Sequence, residues 1–173
     1  MKKLLKYHII VELLFCSTIL MMLSSCGDGL VGEVVTDTPL FDKLYLNAKD
    51  TISIDNQKLV LQTDLYRNFM PGFLPKRRGL NVYFEVVNTD SLIISKKFEV
   101  KDLYVLNGKQ IWISDLKADT TSYLPVYEIR HYSTDGPEWE TGIYVDVVVT
   151  IEDLTTSKIY YLIARKQLID EAV

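Results

Sequence analysis

The chain has 173 residues, 48% of them hydrophobic and 24% charged, with a formal net charge of −4. This composition excludes a disordered or fibrous chain, and the length suits one domain with its own core. The excess of acid disfavours a polyanion such as nucleic acid as partner.

The chain opens on a basic segment, Lys2, Lys3 and Lys6, followed from Leu13 to Leu23 by eleven uncharged, mostly apolar residues, LLFCSTILMML. Small residues and a cysteine come next. Positive end, apolar core and small-residue zone follow the order of a secretory signal peptide. Eleven residues are too few to cross a bilayer, which takes roughly 17–25, and Glu12 interrupts any extension back to Ile9. Leu23-Ser24-Ser25-Cys26 resembles the lipobox of bacterial lipoproteins: an aliphatic residue at −3, small residues at −2 and −1, then cysteine. The resemblance implies a diacylglycerol on the Cys26 sulfur, cleavage before Cys26, and acylation of the new amino group. Each buried methylene contributes about 0.8 kcal/mol, and two or three chains hold a protein on a membrane without a spanning helix. The lipid bilayer, reached through acylated Cys26, is therefore the first expected partner. Gly27 is not the aspartate that resembles an inner-membrane retention signal, and Asp28 alone is not the acidic run of some surface-exported lipoproteins. The outer membrane, facing the periplasm, is the expected location, with the cell surface as the alternative.

Removal of residues 1–25 leaves 148 residues. Three of the 19 basic and one of the 23 acidic residues go with the leader, leaving 16 against 22, a net of −6. Cys16 departs and Cys26 takes the lipid, so no thiol remains for a disulfide in a compartment that permits one. His8 departs too, and His131 is the one histidine left. An intrachain Cys/His zinc site and a Cys–His nucleophile pair are thereby excluded. No cofactor and no metal site is expected.

Residues 26–39, with three glycines, three acids and a proline, read as the lipidated cysteine and a flexible tether; an edge strand using Leu30, Val31, Val34 and Val35 is the alternative. Leu40–Lys49 is too short to separate strand from helix. Thr51–Ile54 alternates, Asp55–Lys58 has turn chemistry, and Leu59, Leu61, Thr63 and Leu65 fall on one face of the next strand. Met70–Gly79, with two prolines and two glycines, is a long loop. Leu80–Asn88 is a strand with Leu80, Val82, Phe84 and Val86 inward. Phe98–Leu106 and Lys109–Ser114 flank Asn107-Gly108, which predicts a hairpin with positive φ at both turn residues. Trp112, on the return strand, is a core candidate. Leu116–Ser122 is a polar connection, and Tyr123–Tyr132 a strand that Pro125 places at an edge. After the loop 133–142, Ile143–Ile151 alternates most clearly, with Val145, Val147 and Val149 on one face and Tyr144, Asp146, Val148 and Thr150 opposite. Lys158–Ala164 pairs back on it, and Arg165–Val173 is a tail. Seven or eight strands with no convincing amphipathic helix predict an all-β, antiparallel, immunoglobulin-like sandwich over residues 40–173. A small β-barrel is the alternative.

His131 has serine and aspartate nearby, but no G-x-S-x-G elbow accompanies them. Asp135, Glu138 and Glu140, and Glu152-Asp153, are paired carboxylates of the type glycoside hydrolysis uses. Solvated loop acids are commoner, and the D-x-[DN]-x-[DN]-G calcium loop is missing. Trp139, between Glu138 and Glu140, is a candidate recognition anchor or a lid on the end of the sandwich. Phe73 and Leu74, with Phe69 and Met70, form a second apolar loop cluster beside Lys76-Arg77-Arg78, fit for a core flap or a docking patch. The expectation is a non-catalytic, lipid-anchored binding or assembly module for an envelope protein or polymer. It resembles the small lipid-anchored proteins of Gram-negative envelopes, and in architecture alone the accessory lipoprotein of type VI secretion machines. The alternatives are an inhibitor presenting loop 133–142 and a small glycan or peptide hydrolase.

Overall fold

Alternation becomes structure most plainly in the strand Leu80–Asn88. Its Leu80, Val82, Phe84 and Val86 are at most 1% exposed, while Asn81, Tyr83, Glu85 and Val87 between them reach the surface. The computed structural model describes residues 32–71, 78–120 and 125–173. Cys26, Phe73 and Leu74 lie outside the described residues. Within these, the elements are β1 (Glu33–Val35), α1 (Thr38–Asn47), β2 (Thr51–Ile54), β3 (Gln57–Asn68), β4 (Leu80–Asn88), β5 (Phe98–Asn107), β6 (Gln110–Ser114), β7 (Lys117–Ala118), β8 (Glu128–Ser133), β9 (Tyr144–Asp153) and β10 (Lys158–Ala172). The protein is all-β, as its alternation predicts.

The strands follow one another in the order β1-β6-β5-β9-β10-β3-β4-β8-β7, with β2 pairing on β3. Every strand pair is antiparallel except β10 and β3, which run parallel where Ile169–Ala172 meets Leu65–Asn68. β10 does this by serving two half-sheets. Lys158–Ala164 pairs with β9, the ladder breaks between Ala164 and Gln167, and Lys166 takes φ 53° at the bulge. A bulge bends and twists the strand that carries it, which curls the sheet onto itself. Inner faces of both halves then share one core: Leu59, Leu65 and Phe84 from one, Val105, Trp112 and Val147 from the other.

Ten strands occur among the described residues, against seven or eight expected. Glu33–Val35 pairs with β6 at its edge. Lys117–Ala118, in the polar connection, pairs with β8. Arg165–Ala172, expected as a tail, continues β10. The hairpin at Asn107-Gly108 is present, but its turn is centred one residue later. Asn107 pairs with Gln110, so Gly108 and Lys109 form the turn, and Gly108 alone has positive φ (58°). Glycine at the first of two turn positions is the other favoured hairpin chemistry.

The helix is the larger correction, since no amphipathic helix is evident in the sequence. Asp37 caps it, its carboxylate accepting from the Leu40 N–H at 2.8 Å, and Pro39 sits in the first turn where no N–H is needed. Leu44 and Ala48 pack with Leu106, Ile111, Val148 and Ile163 on the outer face of the β6-β5-β9-β10 half. Val148, on the expected polar side of β9, is therefore fully buried. No helix among the described residues is long and apolar enough to cross a membrane.

Candidate binding face

With the even-numbered residues of β4 in the core, Tyr83 and Glu85 must point outward, and the register sets their neighbours. Tyr83 lies between Asp64 of β3 and Tyr132 of β8; Glu85 lies between Gln62 and Arg130. Tyr66, Tyr83 and Tyr132 stack across the three strands, with ring centroids 6.0 and 5.6 Å apart and planes within 6° and 16°. The Lys117 ammonium extends the row, 5.9 Å from the Tyr132 ring centre. Rings stacked strand to strand stand on edge. The surface they offer is a row of edges and hydroxyls, not open faces. Burial, then the hydrogen bond to Tyr83, raise the Tyr66 hydroxyl above its usual range.

Beside the tyrosines, Arg130 is set among carboxylates. Glu85 touches it directly across the strands, Glu128 stands 3.5 Å away and Asp119 4.0 Å. An open groove of about 460 Å³ runs here, lined by Gln62, Asp64, Tyr83, Glu85, Asp119 and Arg130. Three carboxylates against one guanidinium give it negative character, which suits hydrogen-bond donors and cations and disfavours phosphate.

The end of the sheet that carries loop 133–142 is organised differently. Arg67, 9% exposed, donates from Nε to the Arg78 carbonyl at 2.7 Å, and from Nη1 to the Trp139 carbonyl at 2.8 Å and that of Glu138 at 3.4 Å. Its guanidinium also lies 5.1 Å from the Phe69 ring centre. Gly136 donates to the Leu80 carbonyl, and Leu80 to that of Pro137. A Cβ on Gly136 would lie only 2.5–2.7 Å from carbons of the Trp112 ring, and one on Gly79 closer still to the Gly136 carbonyl oxygen. The loop is thus bound down on the sheet end. Trp139 is half-buried, packs on the main core, and donates from its indole to Gln110 Oε1 at 3.1 Å. Glu138 is exposed and ion-pairs with Arg67 at 3.5 Å; Glu140 is exposed.

The other candidates do not converge. His131 turns inward onto Phe84, ring centres 5.6 Å apart, with Nδ1 buried and without a hydrogen-bond partner, and burial lowers its pKa. Asp135 is exposed on the loop and accepts from Thr134. Glu152 pairs with Lys101 at 3.2 Å. Asp153 caps its own turn, accepting from Thr156 Oγ1 at 2.7 Å and the Thr155 N–H at 2.8 Å, bonds that hold its carboxyl below the usual range. Among the described residues, no group of three or more His, Cys, Asp or Glu is placed to hold a metal ion.

The tyrosine row and Arg130 escape a reading of the sequence. Outward positions for Tyr66 and Tyr83 follow from alternation. That β8 lies against β4, some 45 residues away along the chain, has no local signal. No family model, curated protein or solved structure matches this chain.

Proposed function

We propose that this chain is a lipid-anchored protein of a Gram-negative envelope, held through acylated Cys26 on the outer membrane and facing the periplasm. It has no catalytic role and uses the outer face of β3-β4-β8 to hold a partner protein. The finer architecture belongs to the same reading: the two half-sheets form an immunoglobulin-like sandwich, with β10 shared between them.

The observation that carries the binding role is the three-tyrosine row beside Arg130 and its carboxylates. Tyrosine and arginine are the side chains most enriched at protein contacts, because they offer large, stiff area with a polar tip. Here both are already ordered by cross-strand contacts, so little freedom is lost on binding. The acidic groove favours a partner that presents lysine, arginine or hydroxyl groups. The inhibitor reading is the weaker one, because Arg67 and Leu80 hold loop 133–142 down. A hydrolase would need His131, Asp135 and Glu138 together, and they face different ways.

The test is site-specific photocrosslinking in cells, with benzoylphenylalanine at Tyr83 and, as control, at Thr156. A discrete protein adduct from position 83 and not from 156 is expected. A polydisperse, glycanase-sensitive adduct would transfer the role to an envelope polymer. Identical patterns at the two positions would remove the face from consideration.

A further inference from the structure

Loops from both half-sheets meet at one end of the ladder, and β1 enters the fold from that side. β1 is antiparallel to β6, so Gly32 lies where β6 ends; β5 begins, β9 ends and β10 begins at this same end. The loops there are joined by hydrogen bonds: Ile94 N to the Val126 carbonyl, Leu154 N to that of Lys97, Thr89 N to that of Lys58, and Gln57 Nε2 to that of Ile93. They leave four aliphatic side chains in solvent: Leu92 at 57% exposure, Ile93 at 68%, Val126 at 62% and Leu154 at 50%. Lys58, Lys96, Lys97 and Lys158 stand exposed among them. Of the acids here, Asp55 pairs with Lys97 at 3.7 Å, Glu99 and Glu152 pair with Lys101 at 3.0 and 3.2 Å, Glu128 pairs with Arg130 at 3.5 Å, Asp153 is buried in its turn, and Asp90 is exposed. This end thus presents exposed lysines beside its aliphatic side chains.

We infer that this end rests on the bilayer that holds Cys26, with Leu92, Ile93, Val126 and Leu154 entering the headgroup region and the lysines meeting anionic headgroups. The inference deepens the function proposed above and rests on lipidation of Cys26. Chain length carries it. Five residues, Gly27 to Val31, separate Cys26 from Gly32. At no more than about 3.6 Å per residue they reach roughly 20 Å. Gly32 bonds to Ile113, beside Ser114, which pairs with Leu103, five residues inside the start of β5. At about 3.3 Å per residue, that sets Gly32 back roughly 16 Å from the loop end. With the strands upright, even a fully extended tether leaves the loop tips within a few ångströms of the lipid. Aliphatic side chains flanked by lysine are the chemistry of interfacial attachment. The tyrosine face then stands along the membrane normal, and Trp139 points away from it.

Only one cysteine remains after leader removal, and it is the lipidated one, so an added cysteine can be labelled alone. The lipidated protein is reconstituted into vesicles containing anionic lipid and a nitroxide-bearing lipid, with a fluorophore on Ile93→Cys or, at the opposite end, on Lys109→Cys. Quenching several-fold stronger at position 93 is expected, together with its reduction by Lys96→Glu and Lys97→Glu. Mass spectrometry of Cys26 is run on the same samples. A lipidated Cys26 with equal quenching at positions 93 and 109 overturns this inference alone. An unmodified Cys26 overturns the anchoring and this inference with it.

Discussion

Arg67→Met tests whether one buried cation holds the Trp139 end of the fold together. Methionine keeps the apolar stem and removes the charge and its donors. Two good charge-assisted bonds are lost, to the carbonyls of Arg78 and Trp139 at 2.7 and 2.8 Å. At about 1.5 kcal/mol each they amount to roughly 3 kcal/mol. The Glu138 carboxylate adds little, since that partner is 66% exposed at 3.5 Å. With a urea m-value of about 2 kcal/mol/M, the midpoint of unfolding should fall by about 1.5 M. Hydrogen exchange gives the local reading. The amides of Gly136 and Leu80, which bond across the loop, should lose more protection than the β9 amides. A midpoint within about 0.3 M of wild type, with Gly136 still protected, would refute the reasoning.

Gly136→Ala should lower stability by roughly 1–3 kcal/mol, because the new methyl meets the buried Trp112 ring and the loop is tied to Leu80; a thermal melt should show a fall of several degrees. Burial depresses the His131 pKa. Its contribution is therefore present above the ordinary value near 6.5 and is lost as pH falls through the lower folded value. His131→Phe should flatten stability against pH just below the ordinary histidine value of about 6.5, and an unchanged slope there would sink this account. The lowered Asp153 carboxyl acts in a separate, more acidic window, below the ordinary carboxylate value.

The core was legible because it is written with period two. Leu59, Leu61, Leu65, Val82, Phe84, Val147 and Val149 all lie where alternation puts them. The hairpin turn shows the limit of that signal. Moving its centre by one residue shifts the pairing by two, and every side chain keeps its face. Trp112 is buried in either register, so periodicity cannot distinguish them. The observed register gains the Asn107–Gln110 pair and needs only glycine in the left-handed region. The helix was obscured by its length, since ten residues carry one fully buried side chain, Leu44. Its capping signal, Asp37 followed by Pro39, was there to be read. Trp139, read in the sequence as a recognition anchor or a lid, is half-buried, packs on the main core and bonds Gln110. The tyrosine row depends on which strands become neighbours, a matter of long-range pairing that no local window contains.

The parallel contact between Ile169–Ala172 and Leu65–Asn68 has a consequence for how the protein is made. Its two partners lie about a hundred residues apart along the chain, so the contact cannot form until the later one has been made. No amount of early folding can close the molecule ahead of it, and such distant pairing is intrinsically slow. Until that contact forms the two half-sheets stay unjoined, and β3 and β10 each keep part of an edge open.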